Sequence, residues 1–226
     1  MTDLHIHAGA PSPRWQRRKK ARPAEILDAA FSAFVDRGFA ATRLEDVAKL
    51  AGCTKGTIFL YYESKEELFK AVIRSSIVPA LERAEQIIAQ HQGSARELLT
   101  AILRARFEGM TRTRLSGLPK LIFGEAGNFP DLARFYHDEV VARSQAMFER
   151  ALRLGIASGE FRADLDVPYV ARATTAPLIV AALWMHSFAP HAACHIDPER
   201  YFAAYLDVLF RGIASPDAPA SETPHA

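Results

Sequence analysis

Apolar residues recur along this chain at the three- and four-residue spacing of helices, and strand-like alternation is scarce. From about Pro23 to Arg37, Ile26, Ala30, Ala33 and Phe34 share one helical face. Pro23 suits a first helical position, Gly38 a left-handed end, and Phe39 is spaced to fold back on Phe34. The stretch Thr42–Lys65, TRLEDVAKLAGCTKGTIFLYYESK, then crowds three helix starts together. Thr42 with Glu45, and Ser64 with Glu67, have capping-box spacing, and Thr54 can cap between them. Ala48 is small enough for a close helix crossing, Gly52 can take a turn's positive φ, and Ile58 returns an apolar side chain to the core. These residues predict a helix-turn-helix followed by a third helix, and that motif points to DNA.

Beyond Ser64 the pattern continues as helices without repeats. A long helix is expected over about Lys65–Gln92, bent near Pro79 because an interior proline removes a backbone donor. Helices near Ser94–Thr113, Leu118–Ala126, Asp131–Ser158, Pro168–Ala189 and Pro198–Ile213 follow, with Asn128 and Asp197 as candidate starts. The tail from Ser215, rich in Pro, Ala and Ser, reads as disordered.

Charge sharpens the picture at the N-terminus. Arg14, Arg17, Arg18, Lys19, Lys20 and Arg22 are uninterrupted by any acidic residue, which suits a phosphate-seeking arm. Residues 1–74 carry 13 Lys and Arg against 9 Asp and Glu, so the chain's net charge of +2 is concentrated beside the motif.

The pattern R-x-x-x-I-L-x-A-A-x-x-x-F-x-x-x-G-F from Arg22, followed by T-x-x-x-x-V-A-x-x-A-G-x-x-K-G-T-I from Thr42, resembles the N-terminal domain of the TetR family of bacterial transcriptional regulators. The likeness covers Arg22 to about Phe69; the remainder agrees by layout alone. It implies an all-α fold. A disordered basic arm (1–21) and a helix-turn-helix domain (22–68) would precede a helical ligand-binding and dimerisation domain (69–213) and a disordered tail (214–226). It implies that Thr42 and Lys65 hold phosphates at helix N-termini, with Tyr61 as a further phosphate ligand. Gly56 would let the recognition helix approach the groove wall. Lys55, Thr57 and Leu60, on the turns that Thr54 caps, are candidates for guanine, hydroxyl or methyl, and thymine-methyl contacts, and the arm residues Arg17, Arg18, Lys19 and Lys20 complete the DNA-facing set. Phe59 departs from the family's usual tyrosine and cannot make its phosphate hydrogen bond. Tyr62 stands where phenylalanine is common, and Cys53 replaces a small apolar turn residue, with packing or a redox switch as its roles.

For a ligand cavity, the large or mouldable side chains Phe107, Phe123, Phe129, Phe135, Met147, Trp184 and Met185 are candidates, with Arg104, Tyr136, His137 and His186 as polar contacts. The segment Glu125-x-x-x-Phe129-Pro130-x-Leu132 resembles one in a subset of TetR-like regulators, several of which control efflux. The stretch 168–189 is nearly uncharged and must be buried on most faces. Val170, Thr174 and Leu178, with Tyr201, Tyr205 and Leu209, are expected to form half of a four-helix interface in a homodimer.

Composition excludes other classes. Two cysteines cannot build a disulfide framework, no run of 18 apolar residues or signal-peptide core stands out, and a reducing cytoplasm is the expected location. No phosphate loop, nucleophile elbow or H-E-x-x-H appears, and the neighbours Asp138 and Glu139 point about 100° apart on a helix, so no enzyme is expected. His186, His191, Cys194 and His195 lack structural-zinc spacing, so neither metal nor cofactor is called for. The expected function is a ligand-responsive repressor, released from a pseudo-palindromic operator by a small apolar or amphipathic molecule. The alternative is a helical small-molecule sensor or carrier acting through protein contacts.

Overall fold

The computed structural model describes residues 13–191 and 196–216; the tail from 217 and the Cys194–His195 pair lie outside them. The described chain is a succession of helices with no strand, only an isolated antiparallel bridge between Phe161 and Ala214. The first helix, α1 (Pro13–Arg37), starts ten residues before the expected position, so Pro23 lies inside it and 13–21, expected as a disordered arm, is helical. The side chains of Arg17, Arg18, Lys19 and Lys20 lie outside the described residues. α2 (Leu44–Leu50), α3 (Lys55–Phe59) and α4 (Lys65–Ser76) pack beside α1 as a small head.

Local chemistry accounts for these breaks. Gly38 and Gly52 both adopt positive φ, at 85° and 61°, where a side chain would be strained. Thr54 Oγ1 accepts from Thr57 N at the start of α3, and Ser64 Oγ accepts from Glu67 N at the start of α4. The head's centre is aromatic: the rings of Phe34, Phe39 and Phe69 lie 5.3–5.6 Å apart, all fully buried.

The expected long helix is instead two. α4 ends at Ser76, and α5 (Val78–Gln90) begins anew with Pro79 in its first turn, where a missing N–H costs nothing. The interruption falls at Ile77, two residues before the proline, in the place where a bend was expected. α6 (Ala95–Arg112) carries a complete capping box between Ser94 and Glu97. The Glu160 carboxylate also accepts from Ala95 N and Arg96 N at 2.8 and 3.0 Å. Burial acts against that charge, but the amide bonds and Ser158 hold its carboxyl below the ordinary value.

α7 (Leu118–Glu125) follows a short 3-10 turn, Arg114–Gly117. The helix expected from Asp131 to Ser158 is α8 (Pro130–Tyr136) and α9 (Ala142–Ala157), joined through a π-helical turn, His137–Val141. Its start is Phe129, with no side-chain cap from Asn128. α10 (Val167–Ser187) and α11 (Pro198–Ile213, capped by Asp197) complete the body. α10 is long and apolar enough to cross a membrane, with a mean hydropathy of 1.2, which corrects the expectation that no such stretch exists. Buried core helices pass the same test, and its inner face packs against α6, α7 and α9.

Candidate functional site

Two places in the molecule carry chemistry: the outer face of the head and a cavity in the body. On the head, α3 shows solvent a surface of Lys55, Gly56, Phe59 and Leu60, with Leu60 80% exposed. Ile58 anchors it from beneath at 0% exposure. Phe59, 46% exposed, extends the open apolar surface beside Leu60. Tyr61 adjoins it, 37% exposed. Lys55 Nζ lies 2.8 Å from Glu45 Oε1, and that contact is the main reason the Glu45 carboxyl falls below its ordinary value. Thr57 Oγ1 is 2.9 Å from Thr54 Oγ1.

Two candidates from the sequence are engaged within the head itself. Thr42 is buried and makes no capping box: its hydroxyl lies 3.0 Å from Ala33 O and 2.7 Å from Gly38 O, tying down the end of α1, while Arg43 precedes α2 without a side-chain cap. A hydroxyl committed to buried carbonyls does not face a phosphate. Lys65 Nζ donates to Phe39 O at 2.8 Å, Thr42 O at 3.1 Å and Ala40 O at 3.3 Å, and sits over the Phe39 ring. Its three protons are already placed, so Lys65 clamps the α1–α2 corner.

The cavity, about 400 Å³, lies between α5, α6, α7, α8, α9 and α10. Its walls are mainly aliphatic, among them Leu81, Met110, Leu118 and Ile122. The π turn shapes one side: an added residue per turn brings Tyr136, His137, Val140 and Val141 to the same cavity, and α9 continues the wall with Ser144 and Gln145. Of the eleven ligand candidates read from the sequence, Phe123, at the exposed rim, Tyr136 and His137 line it. Arg104 instead pairs with Glu199 at 2.6 Å and covers Phe202, and Phe107 stacks on Phe202 in the core. Phe129 packs on Phe39, Phe135 lies beneath Arg74, and Met147 is buried in the core. Trp184 meets Phe188 at a tilt, Met185 packs against the core from outside, and His186 is absent from the lining.

The residue that sequence reading missed is Arg106. It occupies a core-facing position in the apolar series Leu99, Ile102, Leu103, Phe107 and Met110, and a charge interrupting such a stripe was the available signal. Its Nη1 donates to Ser144 Oγ at 2.9 Å, while its Nε is buried with no hydrogen-bond partner. Burial pulls the guanidinium below its ordinary pKa, and burial likewise pushes the nearby Tyr136 phenol up.

Cavity and head are physically joined. α7, which lines the cavity through Ile122 and Phe123, ends in Glu125, whose Oε1 accepts from Ala40 N at 2.9 Å. Four residues on, Phe129 meets Phe39 edge-on with centroids 4.7 Å apart. From the π turn, Glu139 pairs with Arg74 of α4 at 3.1 Å.

The dimer candidates divide. Thr174 and Leu178 are buried inside the subunit, and Tyr201 and Tyr205 donate to Pro177 O and Thr174 O, fixing α11 on α10. Val170 and Leu209 are half-buried on the same inner packing. The outer faces carry Tyr169, Val180, Trp184, Phe188 and Val208, each 38–72% exposed. The expected dimer residues thus occupy the inward rows of α10 and α11 within the subunit. Among the described residues no group of acidic, histidine and cysteine side chains could hold a metal ion.

Comparison with known proteins adds a family model described as bacterial regulatory proteins of the tetR family, matching residues 26–72, and a tetracyclin repressor-like C-terminal domain, matching 89–195. The HTH-type transcriptional repressor KstR2 of Mycolicibacterium smegmatis is 30% identical over 203 residues, 89% of this chain and 95% of the relative. Among solved structures, the ketosteroid transcriptional regulator KstR2 of Mycobacterium tuberculosis has a TM-score of 0.67 at 26% identity, covering 86% of this chain and 95% of that one. FadR of Bacillus subtilis in complex with stearoyl-CoA has a TM-score of 0.69 at 22% identity, covering 84% and 98%.

Proposed function

Because the chain belongs to the TetR family of helix-turn-helix transcriptional regulators, we propose that it is a homodimeric repressor whose grip on its operator is loosened by a small amphipathic effector in the 400 Å³ cavity. The carrying observation is the Glu125–Ala40 bond, which links a cavity-lining helix to the corner of the DNA-binding head. The relatives' names, a ketosteroid regulator and a regulator holding stearoyl-CoA, favour a lipid-like effector over a polar one. SmeT, the repressor of a Stenotrophomonas maltophilia multidrug efflux pump, is also similar in structure, but the KstR2 relatives match in sequence over more than nine tenths of their length, so the regulated genes are better sought first among lipid enzymes.

In this reading α3 enters the major groove with Lys55, Thr57 and Leu60 toward base edges, and Tyr61 toward the backbone. Lys55 must leave Glu45 to do so. Two heads are required to read two half-sites, and the open apolar faces of α10 and α11 supply the contact with a second copy. An effector between α6, α7 and α9 displaces α7, and Glu125, Phe129 and Arg74 pass the displacement to the head. Repression then depends on the difference in operator affinity between the two arrangements. The protein works in the cytoplasm, where its DNA is.

Gel-shift titration of DNA flanking the protein's own gene, against a scrambled duplex, tests the reading. Specific binding weakened by Lys55→Ala and Thr57→Ala is expected. Equal affinity for both duplexes would instead favour a sensor acting through protein contacts.

A further inference from the structure

Arg106 gives the cavity a chemistry that a lipid-like effector alone does not explain. Among the residues lining the cavity there is no aspartate or glutamate, and Arg106 is the only arginine or lysine. A guanidinium cannot discharge itself by losing a proton under ordinary conditions, and a buried, unpaired charge is strongly destabilising. The protein compensates only in part. Ser144, itself buried, accepts from Nη1 at 2.9 Å, and the buried Nε has no partner. His137, the other basic group on the wall, is more than half exposed and lies 2.9 Å from Asp138, so it is engaged on the solvent side.

We propose that the cavity is a receptor for an apolar monocarboxylic acid, whose carboxylate is received by Arg106 while its hydrocarbon body fills the aliphatic walls. This rests on the effector-responsive reading above. A carboxylate supplies the negative charge that the walls lack, and the planar guanidinium fork matches it. One cationic centre calls for one anionic group: a dianion would leave a buried charge unbalanced, and a neutral alcohol would leave the arginine uncompensated. The cavity volume lies within the usual range for small-ligand sites, about 300–1,000 Å³, and the aliphatic lining leaves polar recognition concentrated at one end. The Ser144 hydroxyl bonds the arginine, and the Tyr136 phenol lies close by on the same wall.

Isothermal titration of the purified full-length protein with laurate, 1-dodecanol, dodecylamine and lauroyl-CoA tests this, because the four share a chain and differ at the head. Laurate should bind at least about tenfold more tightly than dodecanol, with dodecylamine weakest. Arg106→Met should erase that preference while still binding dodecanol, which also shows that the cavity has kept its shape. Arg106→Lys should retain part of it. Equal binding of laurate and dodecanol to the native protein, a preference that survives Arg106→Met, or tighter binding of lauroyl-CoA than of laurate would each overturn the proposal. If none of the probes binds while flanking DNA is still shifted, the acid-receptor proposal fails and the regulator reading stands. If laurate binds as expected but no DNA does, the regulator reading fails and the cavity assignment stands.

Discussion

The head and the body of this protein handle charge in opposite ways. In the head, the cations beside α3 sit at the surface in solvated pairs, Lys55 with Glu45 and Arg37 with Asp46, and the buried residues are apolar apart from the Thr42 hydroxyl. In the body, Arg106 is turned inward among aliphatic side chains with no carboxylate beside it. Surface pairs exchange easily for other partners because each is worth little in water. A buried cation waits for one particular anion. The first arrangement suits a long polyanion approached from solvent, the second a single small molecule, and α7 joins them through Glu125 and Phe129.

That contrast can be broken at several points, in order of size. Phe69→Ala removes the centre of the head's aromatic cluster and should cost about 3–5 kcal/mol of stability in denaturant unfolding, with DNA binding lost. A preserved unfolding midpoint would show that the head does not depend on that cluster. Gly117→Ala should cost about 1–3 kcal/mol, because the new Cβ would overlap Val35 where α1 meets the turn before α7. Thermal melting of that variant reads how tightly head and body are pressed together. Glu125→Ala loses one exposed hydrogen bond to Ala40 N, about 1 kcal/mol at most in stability. Its larger effect should be on regulation: the effector's influence on operator affinity should shrink, and an unchanged influence would place the coupling elsewhere. Smallest is Glu45→Gln, which frees Lys55 and should tighten operator binding by roughly two- to fivefold at low salt. Weaker binding in an anisotropy titration would mean that Glu45 positions Lys55 for the groove.

The same contrast governs what the sequence makes legible. Head features follow from local chemistry, so Gly38, Gly52, Thr54 and Ser64 could be assigned their turns and caps directly. Thr42 escaped because its hydroxyl serves the end of α1, nine residues upstream, a tertiary contact that capping-box spacing cannot reveal. Pro79 was visible, but whether it bends a helix or starts a new one depends on how α4 and α5 pack. The π turn at His137–Val141 has no sequence signature, yet it sets three residues, His137, Val140 and Val141, on the cavity wall. Aromatic size was a poor guide to that wall, since Phe107 and Phe129 were taken up by core packing. A charged residue in an apolar stripe would have been the better one.

Occupation of the cavity is expected to change the grip of the head on DNA. Fluorescence anisotropy of labelled flanking DNA, titrated with the protein alone and with the protein saturated by laurate, measures it directly. Operator affinity should fall by roughly 5- to 150-fold on saturation, the range of an ordinary allosteric coupling. Coincident curves with and without bound laurate would contradict it.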